Sequence, residues 1–376
     1  MIYKQFKDKH LSLLGFGAMR LPTEGNDNKI DMAHSSKMVQ KALESGINYF
    51  DTAWGYHGGQ SEIALGEILS KYDRDSFYLA SKFPGYDVAN FEKKEEVFQK
   101  QLEKCKVDYF DFYLCHNVNE RNVDMFMDEK YSTVEYLLKQ KELGKIKHLG
   151  FSAHGNMPVL KKFLAKYGQH MEFCQLQINY VDWTWQKADQ KVQLCNKYNI
   201  PVWVMEPLRG GNLARLDQQR KEKISSVTGV GAIESAFRFL CSIDSVGMIL
   251  SGMSTLEQLE ENVKYFQQQN LLTNQQFDQV VAVGKSMIEK TPCTGCNYCV
   301  DYCPQKLDIS RLMKLNNEHF FAPNDYWTNY AIGNLPQEKQ PACCIACRSC
   351  EQVCPQQIEI SKELAEFANR IKKAQN

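Results

Sequence analysis

The chain has no surplus of charge of either sign, since 45 Lys and Arg stand against 45 Asp and Glu. It therefore offers no electrostatic footprint for nucleic acid or an anionic membrane surface, and neither is expected as a partner. No stretch approaches the roughly 18 apolar residues of a spanning helix, so no membrane span is expected. The first residues, Met1 to Lys7, lack the apolar core of an export signal, which points to a cytoplasmic location. No flavin-binding motif is evident. The glycine run Gly15-Phe16-Gly17-Ala18-Met19-Arg20 lacks the third glycine of a dinucleotide-binding loop, which argues against a doubly wound open sheet.

What is present is an alternation of short apolar segments with amphipathic ones. Leu11 to Leu21 reads as a first strand, followed by strands at 47–51, 77–82, 109–115, 146–152, 173–179, 201–206 and 246–251. Helical patterns lie between them at 33–45, 61–71, 92–105, 131–143, 157–167, 185–198, 231–242 and 255–268. Parallel neighbours need crossover helices, so eight strand–helix units predict an α/β fold of the (β/α)8 TIM barrel class. A helix over 273–290 closes it, and Thr291-Pro292 marks a boundary. At 376 residues the chain exceeds the roughly 250–300 that one core supports. The expected division is a barrel over 1–290 and a smaller unit over 291–376 with an insert at 304–342.

Four chemically apt residues fall at or just past the ends of consecutive strands. Asp51 ends Asn48-Tyr49-Phe50-Asp51 and Tyr56 follows in a loop; Lys82 ends Phe77 to Lys82; His116 ends Tyr109 to His116. The C-terminal rim of the strands is where such a barrel holds its chemistry. An acid can fix a lysine ammonium, and the ammonium can favour the ionised form of a phenol that must release a proton. Taken alone, Lys82 or His116 reads as a paired structural charge or a satisfied core histidine. Together, at matching strand ends, the four form a site.

These segments resemble the aldo-keto reductase family, on Leu14 to Leu21, on Asp51 to Tyr56 with Ser61-Glu62 following, on Ser81-Lys82 and on Leu114-Cys115-His116. The resemblance covers about the first 285 residues. It implies a barrel oxidoreductase with a catalytic tetrad on Asp51, Tyr56, Lys82 and His116, a nicotinamide cofactor and a small-molecule carbonyl substrate. It also implies cofactor contacts at Gly17, Met19 and Arg20, at Ser152 and Gln177 for the carboxamide, and at Glu206, Leu208 and Gly210 over the pyrophosphate. Gly252, Ser254, Gln258, Glu261 and Asn262 are similar to an adenosine clamp. Ala153 stands where the family has a second carboxamide ligand, and Gly252 and Gln258 stand where many members carry cations for a 2'-phosphate. Ser254 with Gln258 resembles the potassium-channel β subunits, which take NADP; the expectation is NADP(H), with NAD(H) as the alternative.

Nine of the fourteen cysteines lie beyond residue 290, eight of them in two C-x2-C-x2-C-x3-C-P runs. Without an export signal, metal ligation accounts for them better than disulfides. Zinc takes paired C-x2-C halves separated by a longer loop, whereas this run is the iron–sulfur pattern, whose fourth cysteine ligates the other cluster. Two [4Fe-4S] clusters follow, one on Cys293, Cys296, Cys299 and Cys354, the other on Cys344, Cys347, Cys350 and Cys303. Cys343 is out of register. The segment resembles bacterial two-cluster ferredoxins and implies a small α+β unit. The clusters are expected to serve electron transfer or regulation, with an electron-transfer protein as a candidate partner. Alternatives are a ferredoxin-coupled reductase working in single-electron steps, and a nicotinamide-binding sensor or interaction protein.

Overall fold

The computed structural model describes residues 1–25, 29–268 and 270–375. Residues 26–28, within a segment 20–32 whose sequence reads as one of the loops around the barrel mouth, lie outside them. Eight strands close a parallel barrel in sequence order: β1 Leu14–Gly17, β2 Tyr49–Asp51, β3 Tyr78–Pro84, β4 Phe110–Val118, β5 Ile146–Ala153, β6 Cys174–Gln177, β7 Val202–Met205 and β8 Val246–Ser251. Helices ring it, and the helix Asn274–Ile288, opened by a capping box at Thr273, finishes this part of the chain.

The first strand is shorter than its apolar run promised. Tyr3–Phe6 and Lys9–Ser12 form an antiparallel hairpin, and only Leu14–Gly17 joins the barrel. The hairpin plugs the N-terminal end: the Phe6 ring lies edge-on to Trp203, with centroids 5.1 Å apart, and tilted against Phe112 at 5.6 Å. Phe6 and Leu11 share a closed apolar cluster with Tyr49, Ala80, Phe112, Leu114, Phe173 and Trp203. That cluster is the filling of the barrel interior, so only the opposite rim remains for chemistry.

Two further segments whose sequence reads as mouth loops hold helices. The 117–130 segment contains Val123–Met127 and the 208–228 segment contains Gln218–Thr228. The expected helix 185–198 is two pieces, Asp182–Trp185 and Ala188–Lys197, separated at Lys187, whose φ is +55°. Among the described residues no helix is long and apolar enough to cross a membrane.

Beyond the barrel the regular elements are helices, chiefly Ile309–Phe321, Tyr326–Gly333 and Ile360–Gln375; no strand is assigned there among the described residues. They enclose a second apolar cluster that includes Leu307, Ile309, Leu312, Met313, Leu364 and Phe367. Phe321 and Ala322, at the end of the first of these helices, belong to the main core of the barrel. The neighbouring Tyr326 and Trp327 remain 68% and 59% exposed, so the insert docks through Phe321 and leaves its other aromatic pair in solvent.

Candidate active site and iron–sulfur centre

Side chains alternate along a strand, so a residue two beyond an interior one faces the same way. Tyr49, Ala80 and Leu114 fill the interior. Asp51, Lys82 and His116, each two residues on, therefore stand on that filling at the rim. Lys82 Nζ donates to Asp51 Oδ1 at 2.6 Å, to the Thr52 carbonyl at 2.7 Å and to the Tyr56 hydroxyl at 3.3 Å. The Tyr56 and His116 rings meet edge-on, centroids 6.2 Å apart.

Burial pushes the Tyr56 phenol above its ordinary value of 10, the Lys82 ammonium pulling it back and Asp51 adding to the rise. Burial pulls Lys82 down, but Asp51 and then Tyr56 outweigh it, and the ammonium is held above 10.5. Burial, helped by Lys82, keeps His116 well below 6.5 and neutral, and its Nδ1 is buried without a partner. The resting phenol thus carries its proton beside a charged lysine and a neutral imidazole.

Supporting contacts were not legible beforehand. Gln175 Nε2 donates to the other Asp51 oxygen, Oδ2, at 3.0 Å, so the carboxylate is held from two strands. Gln175 follows the interior Phe173 by two, and a polar residue at an inward strand position was the available signal. The fully buried Glu62 accepts from Ser81 at 2.6 Å, while Gln101 donates to the Lys82 carbonyl at 3.0 Å. This network pins the strand that carries Lys82.

The expected cofactor residues form three groups around the rim. Ser152 is fully buried, pairs in register with Gln175, and its hydroxyl has no partner. Gln177 Nε2 is bound to Asp182 at 2.8 Å. Asp182 also holds the buried Arg209 through Nε at 3.2 Å, and Glu206, Leu208 and Gly210 lie on the same loop. Arg20 ties the rest together. A Cβ on Gly252 would come within 2.8 Å of its side chain and one on Gly210 within 4.0 Å of its guanidinium, while Ser254 Oγ donates to its carbonyl at 2.9 Å. A Cβ on Gly17 would come within 3.2 Å of the Ser251 carbonyl oxygen, and Met19 is 47% exposed beside it. Gln258 Oε1 accepts from the Ser254 amide at 2.8 Å. Glu261 and Asn262 are spoken for locally, by Tyr265 at 2.7 Å and Ser251 at 2.9 Å.

The cysteines line two hollows, and the lining crosses between the runs. Cys293, Cys296, Cys299 and Cys354 line one; Cys303, Cys344, Cys347 and Cys350 line the other. Cys343 lines neither and donates to the Gln337 carbonyl. Among the described residues no three His, Cys, Asp or Glu side chains close on a single ion. Sulfurs spread around a hollow suit a cubane rather than a tetrahedral zinc.

The turns repeat as well. Positive φ occurs at Gly295 and Ala346 (+72° and +55°), Asn297 and Arg348 (+67° and +61°), and Lys306 and Gln357 (+50° and +53°), each pair at matching places in the two runs. Such turns aim successive amides into a concavity, a favourable setting for an anionic cluster.

The chain belongs to the Aldo/keto reductase family, whose profile matches residues 13–285, and it carries a 4Fe-4S dicluster domain matched over 285–355. It is an oxidoreductase. An uncharacterised oxidoreductase of Bacillus subtilis is 26% identical over 290 residues, 68% of this chain and 88% of that protein. The NADH-specific methylglyoxal reductase of Escherichia coli is 24% identical over 307 residues, 68% of this chain and 90% of its own. Among solved structures, the holo form of an aldo-keto reductase from Bacillus halodurans superposes with a TM-score of 0.62 at 23% identity, covering 75% of this chain and 96% of that one.

Proposed function

We propose that the protein reduces an aldehyde or ketone with a nicotinamide dinucleotide, Tyr56 giving the proton to the carbonyl oxygen. The observation that carries this reading is Lys82 Nζ, 2.6 Å from Asp51 and 3.3 Å from the Tyr56 hydroxyl at the open rim. The bound nicotinamide supplies the hydride. Tyr56 holds the transferable proton, Lys82 stabilises the phenolate left behind, and Asp51, steadied by Gln175, fixes Lys82. Neutral His116 orients the carbonyl oxygen. The unpartnered Ser152 hydroxyl and the amide of Gln177 suit a carboxamide.

The reading keeps NADP(H) ahead of NAD(H) on the Ser254–Gln258 pair, joined at 2.8 Å; Arg20, between the Glu206–Gly210 loop and the Gly252–Asn262 clamp, suits the pyrophosphate that both dinucleotides share. The NADH preference named for the E. coli relative makes NAD(H) the alternative to measure. The eight cysteines are read as ligands of two [4Fe-4S] clusters, in a unit beginning near residue 291, because their two hollows each collect a complete set of four. The clusters serve electron transfer or regulation, and a protein electron carrier is the candidate partner. A screen of aldehydes and ketones under anaerobic conditions with NADPH and with NADH tests the proposal. Absence of carbonyl-dependent oxidation of either nucleotide, in protein with full iron content, would sink it.

A further inference from the structure

Phe173, Gln175 and Gln177 lie two residues apart on the inward face of the β6 segment. Phe173 fills the interior and Gln175 holds Asp51, so Gln177, half-buried at the strand end, faces the open rim. An amide can turn either end towards a ligand, and the end it turns decides what it recognises. Here Asp182 makes the choice. That carboxylate is fully buried and collects donors alone: Gln177 Nε2 and Asn179 Nδ2, each at 2.8 Å from Oδ2, and Arg209 Nε, at 3.2 Å from both oxygens. A carboxylate paired with a guanidinium has no proton to give, so the Gln177 oxygen could face it only by setting acceptor against acceptor. The amide nitrogen is therefore used internally, and Oε1 is the end left for the rim. Asp182 is itself held, since Asn179 Oδ1 accepts from its backbone amide at 2.9 Å and Phe321 covers Arg209 at 5.0 Å. His154 borders the same amide; a carbonyl oxygen has lone pairs for an imidazole N–H and a ligand together.

On the neighbouring strand, Ser152 lies opposite Gln175 and offers a buried hydroxyl without a partner, while Ala153 after it has no polar side-chain atom. Resting on the nicotinamide reading above, we propose that Asp182 is a positioning residue, presenting the Gln177 oxygen to the amino group of the nicotinamide carboxamide. The Ser152 hydroxyl then donates to the carboxamide oxygen. The carboxamide is thereby read in one orientation, with its nitrogen towards β6 and its oxygen towards β5. Fully buried, Asp182 acts through Gln177 and not on the ligand itself. Without its carboxylate the amide is free to turn over, and a reversed amide sets N–H against N–H.

The test uses the full chain with its clusters, purified anaerobically, and reads binding by isothermal titration. The probes are NADP+ and NAD+ and, for each, the 3-acetylpyridine analogue, in which a methyl ketone replaces the carboxamide and the amino group is gone. The unaltered protein should bind the natural dinucleotide about five- to tenfold more tightly than its analogue, the worth of one hydrogen bond. In Asp182→Asn that preference should shrink towards equality, through weaker binding of the natural form with the analogue little changed. Gln177→Leu, which leaves Asp182 and Arg209 paired, should abolish the preference as well. A merely structural role for Asp182 would weaken both forms alike and keep their ratio. Retention of the ratio in either variant, or no preference in the unaltered protein, would overturn the assignment. Binding of neither natural dinucleotide, in protein with full iron content, would overturn the nicotinamide reading itself and this proposal with it.

Discussion

The guanidinium of Arg209 lies 5.0 Å above the ring of Phe321, which joins the loop after β7 to the end of the helix that begins at the cysteine hollows. Asp182 fixes Arg209 from the other side at 3.2 Å. The iron–sulfur part is therefore fastened to the rim of the barrel beside the expected pyrophosphate loop.

Replacing Phe321 by Ala removes a side chain that is 5% exposed in the main core. A loss of roughly 3–5 kcal/mol is expected, read as a lowered thermal unfolding midpoint. Because Arg209 also loses its cover, KM for the dinucleotide should rise more than kcat falls.

Tyr56→Phe deletes one oxygen from the rim and leaves the Lys82–Asp51 pair intact. Carbonyl reduction should fall by roughly 10^2–10^4, with unchanged iron content and an unchanged melting profile. In the unaltered protein the phenol stays protonated at neutral pH, since its value lies above 10. Reduction should accordingly show no decline between pH 6 and about pH 9 attributable to this group, and the reverse oxidation of an alcohol should speed up as pH rises.

Glu206 supplies a pH dependence of its own. Burial, then repulsion from Asp182, push its carboxyl up to about 7 from an ordinary 4.5, with Arg209 pulling the other way. Between those values the unfolded chain has released a proton that the folded chain keeps, so stability falls as pH rises through that window. Above about 7 the carboxylate faces the expected pyrophosphate, and dinucleotide affinity should weaken; isothermal titration with Glu206→Gln should give a flat profile over the same range.

Crossed ligation makes a prediction that pairing within each run does not. Cys354→Ser should damage the same cluster as Cys293→Ser, and Cys303→Ser the same one as Cys344→Ser, judged by which paramagnetic signal is lost. Cys343→Ser should leave iron and sulfide unchanged.

The barrel was legible because its signal is local: apolar strand segments, helical periods between them, and polar residues at strand ends. Asp51, Tyr56, Lys82 and His116 could be picked out for the same reason, and the structure brings them together. The hairpin at Tyr3–Ser12 was hidden because Ser12 is swallowed by the apolar run from Leu11 to Leu21. Its hydroxyl is satisfied internally, by the Leu14 carbonyl at 2.8 Å. Helix Gln218–Thr228 was read as loop because only Ile224 and Thr228 of it are buried, too few for a visible apolar stripe. Gln175 with Asp51, and Arg209 with Asp182, join residues 124 and 27 positions apart. No periodicity encodes such partners; only closure of the barrel creates them.

The interleaving of the two cysteine runs bears on how the protein is made. A nascent chain that has emerged only as far as residue 350 holds three sulfurs for the first hollow and lacks the fourth, Cys354, so neither the early run nor the late one is a self-sufficient unit for maturation. On the crossed ligation proposed above, loading of that hollow must wait for Cys354 and therefore follows synthesis of the barrel.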